Sequence, residues 1–203
     1  MHETKLLDPD DMQTLDGIPT TSIEQTLLGL AAVVDPPIVE MAVDRALHRK
    51  LTTLARLQQF VQHKGKQGRN GVGVLRALVG DRDPRAGVPE SPMETKLKQL
   101  LRRHGLPTPQ FQYEIRHNGA FIARVDAAYP DHRIAIEYDS YEHHTGRSAV
   151  ERDSDRRAVL SRIRWETITF TAAAIRQNGG RPLETLRSRL GFTTPSATHM
   201  RVE

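Results

Sequence analysis

Between Gly80 and Pro89 the chain places two prolines, two glycines and four charged side chains in one short stretch, and the apolar spacing changes period across it. Proline removes a main-chain donor and glycine widens the accessible backbone space, so such a stretch interrupts helices and strands alike. It divides the 203 residues into a segment 1–86, a segment 91–192 and a tail 193–203. Before the break the spacing is helical. Thr21-Ser22-Ile23-Glu24 has capping-box spacing and leads an apolar run to Val34, which Asp35-Pro36-Pro37 stops. Pro37 opens a second helix carrying Ile38, Met41, Ala42 and Leu47. A third runs from Thr53 to Gly65, and a glycine- and lysine-rich loop leads to a short one near Val74–Val79. Residues 1–20 read as an irregular lead-in. The expectation is a small all-helical domain.

After the break the grammar is mixed. Ser91-Pro92 starts a helix whose one face holds Met93, Leu97, Leu100, Leu101 and His104, and Gly105-Leu106-Pro107 ends it. Strand-like segments follow at Phe111–Ile115, Ala120–Ala128 and Arg133–Tyr138. His117-Asn118-Gly119 between the first two is a hairpin turn signal. A polar loop from Asp139 to Arg147, a charged helix from Val150 to about Arg162, a strand at Trp165–Phe170 and a final helix over 171–190 complete the order. Helix, three strands, helix, strand and helix make an α/β domain, a mixed sheet flanked by helices.

The chain has no cysteine, which excludes disulfides, thiolate catalysis and Cys-ligated zinc. No apolar run approaches a membrane span and the N-terminus has no signal pattern, so the expected setting is cytoplasmic, with no membrane partner. Charge is unevenly placed. Residues 91–203 carry 18 Lys/Arg against 13 Asp/Glu, whereas residues 1–90 carry 11 against 12. A basic excess confined to one half points to a polyanionic partner, against the plainer reading of a solvated basic surface. The sequence leaves the oligomeric state open.

Three carboxylates stand where apolar elements turn polar. Glu94 lies in the first turn of its helix, Asp126 follows Phe121-Ile122-Ala123-Arg124-Val125, and Glu137 follows Arg133-Ile134-Ala135-Ile136. A hairpin centred near Pro130–Asp131 sets Asp126 opposite Ala135, with Glu137 a diagonal neighbour about 7 Å away on the same face. A slip of one residue puts the two on opposite faces. Carboxylates so close need a cation, and Mg²⁺, with Mn²⁺ as substitute, suits oxygen ligands completed by water and phosphate. The alternative is that Asp126 and Glu137 meet Arg124 and Arg133 in surface pairs. His143 and His144 are candidates to take a proton from water, having an ordinary pKa of about 6.5; the remaining histidines are scattered without zinc-ligand spacing. Asp153 is placed to orient a histidine, while Arg156 and Arg157, with a second strip of Lys96, Lys98, Arg102 and Arg103, are candidates for phosphate contacts.

Ser91-Pro92-Met93-Glu94, Gly105-Leu106-Pro107-Thr108-Pro109-Gln110, Arg124-Val125-Asp126, Ile136-Glu137-Tyr138-Asp139, His143-His144, Arg152-Asp153, Arg156-Arg157, Leu160 and Trp165 together resemble the DUF559 group. That group is similar to very-short-patch-repair endonucleases of the PD-(D/E)XK superfamily. The resemblance implies a restriction-endonuclease-like core and Mg²⁺-assisted phosphodiester hydrolysis. It implies Asp126 as the central metal ligand, Glu137 as the second acidic residue, Glu94 as the helix carboxylate, and His144, or else His143, as general base; Asp139 stands where the superfamily signature has Lys. Two further departures are Ser140 and Arg164, where the family usually has glycine. The first half resembles, more weakly, the helical domain of AbiEi-type antitoxins, through Gly17-Ile18-Pro19-Thr20-Thr21-Ser22 and Thr26-Leu27-Leu28-Gly29-Leu30-Ala31, with Gln25 and Gly29 in place of the usual Arg and Asp. The winged-helix segment usual upstream has no counterpart, as expected of a shortened version.

The leading expectation is a metal-dependent endonuclease acting on DNA, in repair or defence. Its rivals are a catalytically silent nuclease fold serving as a DNA-binding or antitoxin-like regulatory module, and a helical interaction protein whose second half only stabilises it.

Overall fold

The structure, a computed structural model, describes residues 7–65, 70–80, 82–83, 86–139 and 156–192. The chain forms two compact units, 1–95 and 96–203. The division falls inside a helix, a few residues beyond the proline- and glycine-rich stretch.

In the first unit, strands β1 (Met12–Leu15) and β2 (Ile18–Thr21) pair antiparallel. This hairpin replaces the irregular lead-in expected there. Its turn is Asp16-Gly17, both with positive φ (51° and 82°), the geometry a two-residue hairpin favours. Four helices follow: α1 (Ile23–Ala31), α2 (Pro36–His48), α3 (Leu54–Gly65) and α4 (Val72–Val79). Ser22 caps α1 by accepting the Gln25 N–H, and α2 opens on Pro36, one residue earlier than expected. Leu27, Leu28, Val39, Val43, Leu57 and Leu75, all buried, lead one apolar core. Gly71 enters α4 at φ 82°, and a Cβ there would lie 2.7 Å from the Ala32 nitrogen, so only glycine fits.

Charge lies inside this unit too. Lys64 is 2% exposed, and its Nζ meets Asp8 Oδ2 at 2.5 Å and Asp11 Oδ2 at 2.7 Å. Buried Asp44 accepts from Arg82 Nη1 at 2.6 Å and from Thr95 Oγ1 at 3.0 Å, and buried Glu24 accepts from Thr52 Oγ1.

Helix α5 (Pro92–Arg103) bridges the division in sequence. The second unit then holds β3 (Gln110–His117), β4 (Ala120–Tyr129), β5 (Ile134–Asp139), a helix α6 described over 156–162, β6 (Glu166–Thr171), α7 (Ala172–Arg176) and α8 (Gly180–Arg189). The sheet order is β3-β4-β5-β6, antiparallel at the first two pairings and parallel at the last. This is the expected mixed sheet with helices. Central β5 begins with four buried residues, as a strand covered on both faces requires. The single helix expected over 171–190 is two, because Asn178 (φ 61°) and Gly179 (φ 99°) turn the chain between them.

Helix α6 ends in a Schellman motif: Trp165 N–H reaches Leu160 O at 2.9 Å and Arg164 N–H reaches Ser161 O at 2.9 Å. Arg164 therefore holds the left-handed position (φ 63°) that glycine normally takes. Trp165 packs on the core containing Leu160 and stacks on Tyr113, ring centroids 5.8 Å apart.

Candidate functional site at a fork in the sheet

The connection from β4 to β5 is a 3₁₀ turn, Pro130–His132, and Arg133 leaves it in the left-handed region (φ 52°), so β5 starts at Ile134. This tight exit sets the register at Tyr129↔Ile134, Ala128↔Ala135 and Ala127↔Ile136. The expected opposition of Asp126 to Ala135 is thus wrong by two positions. Asp126 and Glu137 are the next residues beyond Ala127↔Ile136, the last pair of the ladder. The register thus brings the two acidic residues to the same level of β4 and β5, in place of the diagonal arrangement expected.

The β4–β5 ladder ends there, although neither strand does. Beyond Ile136, β5 continues its pairing with β6 through Asp139↔Thr171, while β4 pairs with β3 out to Ala120. The sheet forks, and Asp126 and Glu137 stand at the crotch. On its other side, the β3–β4 register steps from Phe111↔Ala127 to Tyr113↔Val125 and passes over Gln112 and Asp126. Gln112 has φ 54°, which turns its peptide groups away from ladder geometry. Asp126 is instead held by its side chain: Oδ2 accepts the main-chain N–H of Tyr138 at 2.7 Å.

Glu137 is buried, and Arg156 Nη2 on α6 lies 2.6 Å from its Oε1. This partner differs from Arg133, the one named in the surface-pair alternative. Arg156, expected at phosphate, is engaged at the acidic pair. Arg157, Lys96, Arg102 and Arg103 are exposed and Lys98 is half-buried. Asp139, half-buried, ends β5 in register with Thr171, the cap of α7.

Glu94 serves the start of its own helix. It is buried in the first turn of α5, where Ser91 Oγ accepts its N–H at 3.2 Å and its own Oε2 accepts the Glu90 N–H at 3.0 Å. It closes the start of the helix much as a capping box does. Ser140, His143, His144 and Asp153 lie outside the described residues. Among the described residues, no group of three or more His, Asp or Glu side chains is placed to hold a metal ion. The pair Asp126–Glu137 nonetheless offers a donor set that suits Mg²⁺, which binds through one or two carboxylates and completes its shell with water and phosphate.

Sequence reasoning missed two contributors. Gln112 gives no signal in the sequence, since a positive φ inside a strand follows from its neighbours. The Arg156–Glu137 pair was hidden because charged residues 19 positions apart show no local spacing rule.

The chain is similar to two proteins of Mycobacterium tuberculosis: uncharacterized protein MT2308 of strain CDC 1551 / Oshkosh and uncharacterized protein Rv2248 of strain ATCC 25618 / H37Rv. Each is 32% identical to it over 170 residues, which is 84% of this chain and 61% of the relative. The chain thus spans about three-fifths of the length of these curated relatives. No family model and no solved structure matches it. Among the described residues, no helix is long and apolar enough to cross a membrane.

Proposed function

We propose that the second unit is a metal-dependent nuclease domain hydrolysing phosphodiester bonds in DNA. The observation that supports the reading is that Asp126 and Glu137 follow directly on the last paired residues, Ala127 and Ile136, where β4 and β5 part. Two carboxylates at the end of a shared ladder, one sheltered and one anchored by the Tyr138 N–H, form a fixed oxygen-rich corner. Bound between them, Mg²⁺ would polarise a phosphoryl oxygen and lower the pKa of a water. Asp126 and Glu137 would hold the ion. Lys96, Arg102, Arg103 and Arg157 give the second unit cationic groups for backbone phosphates, which confer affinity without sequence reading. The helix, three-strand, helix, strand order, together with the DUF559-like motifs, supports the same reading.

The test incubates the purified chain with supercoiled, linear, mismatched and single-stranded DNA, with Mg²⁺, Mn²⁺ or EDTA. Nicking or cleavage that needs the metal and disappears in Asp126→Ala supports the proposal. Salt-sensitive binding without cleavage of any substrate in either metal overturns it in favour of a catalytically silent regulatory module.

A further inference from the structure

The Glu137 side chain is 10% exposed, whereas the Arg156 side chain that reaches it is 40% exposed. A sheltered carboxylate is costly to keep ionised without a cation beside it. Arg156 supplies that cation. A Mg²⁺ on the same carboxylate would lie about 2.0–2.1 Å from its oxygen. Two cations on one oxygen, partly shielded from water, repel strongly. A guanidinium does not yield by losing its proton, so it has to move away. Its exposure and long stem permit that, and its planar fork matches the oxygens of a phosphodiester.

We propose that Arg156 is an exchangeable counter-ion: it neutralises Glu137 while the site holds no metal, and passes to a nucleic-acid phosphate when metal enters. Metal and nucleic acid then load cooperatively, because each favours the arrangement the other needs. The inference rests on the metal site at Asp126 and Glu137 proposed above.

The test measures Mn²⁺ binding to the full chain at pH 8 from the paramagnetic resonance signal of the free ion, with and without a short DNA duplex. Native protein is compared with Arg156→Gln, Arg156→Lys and Asp126→Ala, and Mn²⁺ retained by Asp126→Ala with duplex is subtracted as ion held by the DNA itself. In native protein the duplex is expected to tighten Mn²⁺ binding about fivefold or more. Arg156→Gln is expected to bind Mn²⁺ more tightly than native protein without DNA, and to gain nothing from the duplex. Arg156→Lys, which keeps the charge but not the fork, is expected to retain only part of the coupling, and it carries the comparison if the Gln variant does not fold. Native-like Mn²⁺ affinity in Arg156→Gln, or an undiminished duplex effect in either Arg156 variant, overturns the exchange and leaves the metal site standing. Mn²⁺ binding no better in native protein than in Asp126→Ala overturns both.

Discussion

The carboxylate of Asp126 accepts the main-chain N–H of Tyr138 at 2.7 Å, so one side chain both ends the β4–β5 ladder and presents an oxygen at the fork. These two duties separate by substitution. Asp126→Asn keeps an acceptor for Tyr138 and is expected to hold native stability within about 1 kcal/mol, whereas Asp126→Ala loses it and costs about 1–3 kcal/mol. Both are expected to abolish metal-dependent cleavage. Urea denaturation and plasmid nicking measured on the same preparations check this; full cleavage by Asp126→Asn would contradict the ligand role.

Arg164 holds a left-handed position at the end of α6 that costs an L-residue about 1–2 kcal/mol. Arg164→Gly is expected to raise stability by about 1 kcal/mol, seen as a higher urea midpoint. The single tryptophan, Trp165, is the next residue and reports unfolding of this unit directly.

Tyr129 donates its hydroxyl to Pro107 O at 2.6 Å, and burial pushes its phenol well above the ordinary range. Its folded pKa exceeds its unfolded value near 10, so the unfolded chain binds fewer protons once pH passes that value. The stabilisation is complete below about pH 10 and falls by about 1.4 kcal/mol per pH unit above it, until the folded pKa is reached. Tyr129→Phe is expected to be about 1 kcal/mol less stable at pH 7 and to lack this alkaline slope. Stability curves at pH 8 to 11 decide it.

Lys64 is buried between Asp8 and Asp11, and Asp11 is itself 1% exposed. Lys64→Met strands acidic charge in the core and is expected to cost about 3–5 kcal/mol. Adding Asp11→Asn should recover a large part of that loss. Thermal melts followed by circular dichroism, arranged as a double-mutant cycle, measure the coupling.

How far the sequence carried the fold depended on whether a signal was local. The apolar face of α5, with Leu97, Leu100 and Leu101 buried, follows from helical period alone. The β3–β4 turn at Asn118-Gly119, both with positive φ, follows from turn chemistry. Asp16-Gly17 carried the same signal, but the strands beside it are only four residues each and mostly exposed, without an alternating buried face. The break between α7 and α8 was written in Asn178-Gly179-Gly180 but masked by apolar spacing that fits one helix. The β4–β5 register turned on Arg133 taking a left-handed conformation, which no residue type announces. Asp11, Glu24 and Asp44 look like surface charge in the sequence, and only tertiary partners make their burial tolerable.

The parting of β4 from β5 seats the two acidic groups on different strand pairs of one sheet. Asp126 travels with the β3–β4 arm, whose free end is the turn at Asn118-Gly119, and Glu137 travels with the β5–β6 pair. The Tyr138 N–H on Asp126 Oδ2 is the tie that spans the two at this point. Removing that one acceptor therefore loosens a seam between two strand pairs as well as taking away an acid.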